Sequence, residues 1–278
     1  MMSTLKIVIV TGGNKGIGKA LCEKLLSAYS ETFVYLCSRD VTRGNEAVAS
    51  IVESLGGAAS KRIECLELDV ADEGSVMVAA LKLGAKHAPG SIYGLVNNAG
   101  VGFGRSTAEV VGVNYFGPKN VTTAILPLLN PQTGRVVNIS SASGPMFVQN
   151  LPPAEQSIFT EPGVTSHMIE RKIKEAIDSK CYEEDDRAYG FSKACLNVLT
   201  RDFADMHPGL KINACTPGFI LTDMTADMGA TNPPEAGTVA PLHCLFDENI
   251  GSGMYFGSDA VRSPLDSYRG PGDPPYLG

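Results

Sequence analysis

The sequence lacks a basic surplus, a long apolar run and any cluster of metal-ligand residues, and each lack removes a class of function. Lysines and arginines number 23 against 30 aspartates and glutamates, for a net charge of −7. That balance argues against nucleic acid as the main partner, because phosphate contacts need a basic face. A local basic spot for a small phosphorylated ligand is compatible with it. No stretch approaches the ~18 apolar residues that span a bilayer, so no membrane partner is expected. The apolar run Ile7–Val10 is too short for the core of a signal peptide and runs into glycines, so it reads as a first strand. A cytoplasmic protein is the default expectation. The seven cysteines (Cys22, Cys37, Cys65, Cys181, Cys195, Cys215 and Cys244) are odd in number, and no two are spaced as C-x-x-C. Neither a disulfide framework nor a zinc ribbon is indicated, and the expectation is buried, reduced thiols. His87, His167, His207 and His243 are scattered without metal-ligand spacing, so no metal is expected.

What is present is the rhythm of an α/β protein. The chain has 278 residues, 44% of them apolar, enough for one large domain with a substantial core. Strands are expected at Leu5–Val10, Thr32–Cys37, Ile63–Leu68, Ile92–Val96 and Arg135–Ile139. Helices are expected at Ile17–Ala28, Asn45–Leu55, Gly74–Gly84 and, as one long element, Val110–Leu129. Alternating strands and helices imply βαβ units, and near-continuous apolar strands imply a sheet covered on both faces. The fold class is therefore α/β, a doubly wound, Rossmann-type parallel sheet with helices on both faces. No internal repeat is visible. A single domain over residues 1–278 is expected, with two departures from the rhythm. Residues 142–188 form an insert with prolines, a short helix candidate and the acidic run Glu183-Glu184-Asp185-Asp186. Residues 258–278 form a tail rich in proline and glycine, expected to be irregular.

The first strand runs into Thr11-Gly12-Gly13-Asn14-Lys15-Gly16-Ile17-Gly18, which opens the first helix. A helix N-terminus offers unpaired N–H groups and a partial positive charge to a pyrophosphate, and glycine lets it approach closely. With strand and helix both in place, this loop reads as a dinucleotide site. A site for NAD carries an acidic residue about 20 positions later, to bond the ribose 2′-hydroxyl. Ser38 and Arg39 stand there instead. A guanidinium pairs with a 2′-phosphate where a carboxylate repels it, so NADPH/NADP is the expected cofactor, with Lys15 as a second cation. Asp40 is the counter-indication, since a one-residue slip would bring it to the ribose. Asp69-Val70 ends the third strand. Asp69 either bonds an adenine amino group or caps the next helix.

Tyr189-Gly190-Phe191-Ser192-Lys193 puts Tyr189 and Lys193 on one helix face. A phenol titrates near pH 10, too high for efficient proton transfer at neutral pH, and a neighbouring ammonium favours phenolate. Carbonyl reduction needs a proton donor for the developing alkoxide, and this pair supplies one.

The whole set resembles the short-chain dehydrogenase/reductase family. The matching motifs stand in family order over about residues 5–225. They are Thr11–Gly18, Asn97-Asn98-Ala99-Gly100, Asn114 within Val113-Asn114-Tyr115, Ser140-Ser141, Tyr189 with Lys193, and Pro217-Gly218 before Thr222. The resemblance implies a catalytic set of Asn114, Ser141, Tyr189 and Lys193. Tyr189 is the general acid/base. Lys193 lowers its pKa and holds the nicotinamide ribose. Ser141, rather than Ser140, bonds the substrate oxygen, and Asn114 holds a water in a relay through Lys193. It also implies that Gly12, Asn14, Lys15, Gly16, Ile17, Gly18, Ser38, Arg39, Asp69, Val70, Asn97, Ala99, Gly100, Pro217 and Gly218 line the cofactor, with Thr222 on its carboxamide.

Ser141 and Tyr189 stand 48 positions apart, a longer gap than most family members keep. That insert, Asn14-Lys15-Gly16 and Ser38–Gly44 resemble the monomeric NADPH-dependent carbonyl reductases, which act on aldehydes, ketones and quinones. The expected substrate is thus a small carbonyl compound. Two alternatives stay open: a dehydrogenase oxidising a secondary alcohol, and a cofactor-binding regulatory protein on this fold. Within the insert, Thr165 can cap a helix whose Ile169, Ile173, Ala176 and Ile177 make one apolar stripe. This helix is expected to pack on its own domain, cover the face used for dimers in many relatives, and leave a monomer. Pro145–Pro153 is expected to be a loop walling the substrate pocket. The other reading is a surface decoration without effect on assembly.

Overall fold

A computed structural model describes residues 5–183 and 187–278; Glu184, Asp185 and Asp186 of the acidic run lie outside the described residues. The seven strands are β1 (Lys6–Val10), β2 (Thr32–Ser38), β3 (Ile63–Glu67), β4 (Ile92–Asn97), β5 (Arg135–Ile139), β6 (Lys211–Cys215) and β7 (Tyr255–Phe256). They form one parallel sheet in the order β3-β2-β1-β4-β5-β6-β7. The order reverses between β1 and β4, and that crevice at the strands' carboxyl ends is where a doubly wound sheet takes a ligand.

Every strand but the last, β7, runs on toward a helix. The helices are α1 (Gly16–Ala28), α2 (Val41–Leu55), α3 (Glu73–Lys86), α4 (Thr107–Val111), α5 (Gly117–Ile125), α6 (Ser143–Gln149), α7 (Pro153–Thr160), α8 (Ser166–Asp178), α9 (Ala188–Met206) and α10 (Val239–Phe246). One face of the sheet buries Val8, Val10, Val96 and Val137 against Leu21 and Leu25 of α1, Ile51 of α2 and Cys244 of α10. The other buries Ile9, Leu95 and Val136 against Leu83 of α3, Val121 of α5 and Leu196 and Leu199 of α9. Both faces are covered, which is why the strands carry no strict polar alternation. All seven cysteines are free; five are buried, Cys65 is partly so and Cys181 is exposed. Among the described residues no helix is long and apolar enough to cross a membrane.

Three differences from the sequence reading have local causes. Helix α2 starts at Val41 rather than Asn45, because the Asp40 side chain accepts from the Arg43 amide and caps it. The run Val110–Leu129 is not one helix. A π-helical turn, Gly112–Phe116, separates α4 from α5, and it holds Asn114. Pro145–Pro153 is not a loop either. Pro145 sits in the first turn of α6, where a missing N–H costs nothing, and Pro153 opens α7.

Helix α8 starts at the expected cap and buries most of the expected stripe, with Ile177 only half-buried. The Thr165 hydroxyl accepts from the Met168 amide, and Ile169, Ile173 and Ala176 are buried beneath α8. Glu170 on α8 accepts from the Tyr115 hydroxyl and pairs with Lys119, and Asp202 of α9 accepts from the Ser166 amide. The tail is irregular but pinned. Buried Arg269 forks onto both Asp259 oxygens, bonds Ser263, and leaves Tyr268 held at its amide by Gln149 of α6.

Candidate active site

The glycine loop is held from below. Thr11 Oγ1 accepts from the amides of Asn98 and Ala99, while Asn98 Nδ2 donates to the carbonyls of Thr11 (2.8 Å) and Gly12 (3.1 Å). Gly12 has φ +63°, and a Cβ there would meet the Ala99 backbone at 3.0 Å, so β1 and β4 approach where only glycine fits. Lys15 precedes α1 without a side-chain cap, so no capping side chain occupies the first-turn amides. Asn14 and Ile17 are half-buried. Ile17 and Pro217 both border Gly237, and Thr222 lies against Gly16, so the segment after β6 reaches back to the loop. Gly218 takes φ +94° in the turn that sends it there.

At the end of β2, Ser38 is buried and its hydroxyl donates to the Asp40 carbonyl at 2.8 Å. Arg39 is exposed and makes no ion pair among the described residues. Asp40 is spent on capping α2 and on Arg43, so its carboxylate is not free for a ribose. Lys15 differs from expectation, because its ammonium pairs with Asp223 of the post-β6 segment. Asp69 is not the cap of α3; that is Asp72, and Asp69 accepts from the Ala71 amide instead. Val70 is buried against Gly117 at the start of α5.

Helix α9 brings the remaining groups together. The Tyr189 phenol lies near enough to Ser141 for the serine to draw its pKa down. Ser141 Oγ accepts from the Ser143 amide at 3.1 Å. Lys193 Nζ lies 5.6 Å from the centre of the Tyr189 ring and donates to the Ile139 carbonyl at 2.7 Å. Asn114 is fully buried; its Oδ1 accepts from the Val101 amide, and its Nδ2 donates to the Val101 carbonyl and Ser192 Oγ. A Cβ on Gly100 would stand 3.3 Å from Asn114 Oδ1 and 3.7 Å from Lys193 Nζ, so Gly100 separates the two. Asn97 does not join them. Its side chain turns into the helix layer and bonds Thr122 and Asn138, leaving Asn98–Gly100 to line the crevice.

Burial sets the charges. It pushes the Tyr189 phenol up, and the nearness of Ser141 pulls it only part of the way back. The phenol therefore stays protonated at neutral pH. Burial also lowers the Lys193 ammonium to about 8, against a smaller upward pull from Cys215. Sequence reasoning missed Asn98 as the clasp of the glycine loop, although it stood inside a matched motif. It also missed Phe103, whose ring packs 5.0 Å from that of Tyr189 and for which the sequence carries no signal.

A family model described as short chain dehydrogenase matches residues 6–153. Carbonyl reductase (NADPH) 1 of Homo sapiens is 36% identical over 264 residues, covering 87% of this chain and 91% of that protein. (+)-Neomenthol dehydrogenase of Arabidopsis thaliana is 31% identical over 294 residues, covering 93% and 98%. Among solved structures, salutaridine reductase from Papaver somniferum superimposes with a TM-score of 0.77 at 27% identity, covering 90% of this chain and 99% of that one. Likeness that runs through both the glycine loop and the Tyr189 helix at this level leaves one conclusion, that the chain belongs to the short-chain dehydrogenase family of oxidoreductases.

Proposed function

We propose that the chain reduces aldehydes, ketones or quinones to alcohols at the expense of NADPH, with Tyr189 as the proton donor. The observation that carries this reading is a buried phenol, pushed up by burial, next to Ser141 and with Lys193 Nζ 5.6 Å from its ring centre. The crevice suits a dinucleotide phosphate on three counts. Gly12 admits close approach, the first turn of α1 offers free amides, and the end of β2 presents Arg39 with no free carboxylate. Gly12, Asn14, Gly16, Ile17 and Gly18 would hold the pyrophosphate, and Ser38 and Arg39 the 2′-phosphate. Asp69 and Val70 would flank the adenine, and Ala99, Gly100, Pro217, Gly218 and Thr222 the nicotinamide half. Lys15 would join them only on release from Asp223. NADPH, when bound, supplies the hydride.

The chain's own groups handle the proton. A substrate carbonyl oxygen accepts from the Tyr189 and Ser141 hydroxyls. As that oxygen gathers negative charge, Tyr189 passes its proton to it while Ser141 keeps the hydrogen bond. The Lys193 ammonium then stabilises the phenolate left behind. The remaining lone pair of Asn114 Oδ1 would hold the water that returns a proton by way of Lys193.

The direct test is NADPH oxidation over a panel of quinones, aromatic aldehydes and ketones. Turnover with several members supports the reading; none above the enzyme-free rate, with a secondary alcohol reducing NADP instead, would reverse it. We further propose that the chain works as a single-domain monomer, since the α8 stripe is buried on its own core and Glu170 ties it to Tyr115 and Lys119. A stable tetramer in sedimentation would reject this.

A further inference from the structure

Asn197 lies on α9 one turn past Lys193, so the two side chains share a helix face. It is 4% exposed, and neither end of its amide has a hydrogen-bond partner among the described residues. Buried side-chain amides are nearly always bonded, and where protein groups do not suffice, ordered water does the bonding.

The surroundings tie this amide to the reactive groups. A Cβ on Gly144 would come 3.1 Å from the Lys193 carbonyl carbon and 3.2 Å from Asn197 Nδ2, so the first turn of α6 lies directly on the Lys193 turn of α9. Ser141 belongs to that same turn, for its carbonyl accepts from the Gly144 amide and its hydroxyl from the Ser143 amide. A slip of α6 along α9 would therefore carry Ser141 away from Tyr189. Below Asn197, on the same face, Thr200 Oγ1 accepts from Asn138 Nδ2, and Asn138 Oδ1 accepts from Asn97, each at 2.8 Å. Above it, Ser140 Oγ donates to the Lys193 carbonyl. Asn197 thus interrupts a buried polar stripe that is bonded on either side.

We propose that Asn197 is a positioning residue whose amide holds buried water in the α6–α9 seam, and that this hydrated seam fixes Ser141 against Tyr189. The catalytic part rests on the carbonyl reductase reading. Asn197→Leu puts an apolar group of similar size in the seam, whereas Asn197→Ser keeps a hydroxyl and leaves room for a further water. The Leu variant should lose about tenfold in kcat, as a small misplacement of a reacting group does, with KM for NADPH unchanged. The Ser variant should recover most of that loss. An Asn197→Leu enzyme with unchanged kcat and a higher Tm would overturn the proposal, because relief of a merely unbonded amide has that signature. Should the Leu variant not fold, a high-resolution crystal structure of the unmodified chain decides: density for water bonded to Asn197 supports the proposal, and a dry amide overturns it. That arm does not depend on turnover, so failure of every carbonyl substrate would reject the functional reading while leaving the hydration of Asn197 to be judged separately.

Discussion

Gly18→Ala tests whether the glycine loop seats the cofactor. Position 18 lies in the first turn of α1, where alanine gains about 1 kcal/mol in helix propensity. Packing works the other way. A Cβ there would overlap the Gly12 carbonyl oxygen and come 2.5 Å from Asn98 Nδ2, so something must move by half an ångström or more. Neither neighbour is free to move. Asn98 Nδ2 bonds the Thr11 and Gly12 carbonyls, and Thr11 Oγ1 bonds the amides of Asn98 and Ala99. The displacement therefore spreads through the loop at a cost of about 1–3 kcal/mol, which roughly matches or exceeds the propensity gain. At roughly 2–4 °C per kcal/mol, Tm should fall by only a few degrees. Binding should suffer more. A misaligned amide loses a charge-assisted hydrogen bond worth about 1.5–3 kcal/mol, or roughly 10- to 150-fold in Kd for NADPH by fluorescence titration. Gly57→Ala is the control, since a Cβ there meets nothing within 4 Å. A Gly18→Ala protein that binds NADPH as tightly as the unmodified chain would show that the pyrophosphate sits elsewhere.

Tyr189→Phe should lower kcat by about a hundredfold to ten-thousandfold while leaving the Kd for NADPH nearly unchanged, because the hydroxyl serves the substrate oxygen; substantial turnover would remove Tyr189 as the acid. Ser38→Asp with Arg39→Ala should move cofactor preference toward NADH by about tenfold or more, read as the ratio of kcat/KM values. Equal binding of NADH and NADPH by the unmodified chain would already discard the role given to Arg39. The pH dependence follows from Lys193, whose folded-state value of about 8 lies below its ordinary one, so its positive charge is mostly present at pH 7, half gone at about pH 8 and lost above it. Tyr189, pushed up by burial, stays protonated over that range. Hence kcat/KM for NADPH should be level below about pH 7 and decline through pH 8, and a level profile well into the alkaline range would free Lys193 from the ribose.

Much of the fold was legible because its strands are short, apolar and bounded by turns. Arg135–Ile139 was read to the residue, since both faces of β5 are covered and its limits coincide with changes in polarity. The elements that escaped are those where one tertiary contact outweighs local pattern. A continuous helical pattern gave no sign of the π-helical turn around Asn114, whose amide is bonded to the distant Val101 and Ser192. Helices α6 and α7 were hidden by prolines that stand at helix starts and serve there equally well. In the site, the Tyr189–Lys193 spacing was visible in the chain, but the direction of the Tyr189 shift was not. Spacing reveals a neighbouring cation; it does not reveal how far burial will offset it. Lys15 was read for its charge alone, and a partner 208 positions away redirected it.

The pinned tail has a consequence for how the chain is cut. Arg269 lies in irregular chain, where a trypsin-like protease usually starts. Such an enzyme must draw the arginine side chain into its own acidic pocket, yet Asp259 already fills that role within the fold, at 2.6 Å to both oxygens. The Arg269–Gly270 bond is masked for as long as this internal pair holds. Letting go would bare a cleavage site next to Tyr268, whose amide donates to Gln149 of α6, so resistance to digestion at Arg269 reports how firmly this segment rests on the fold.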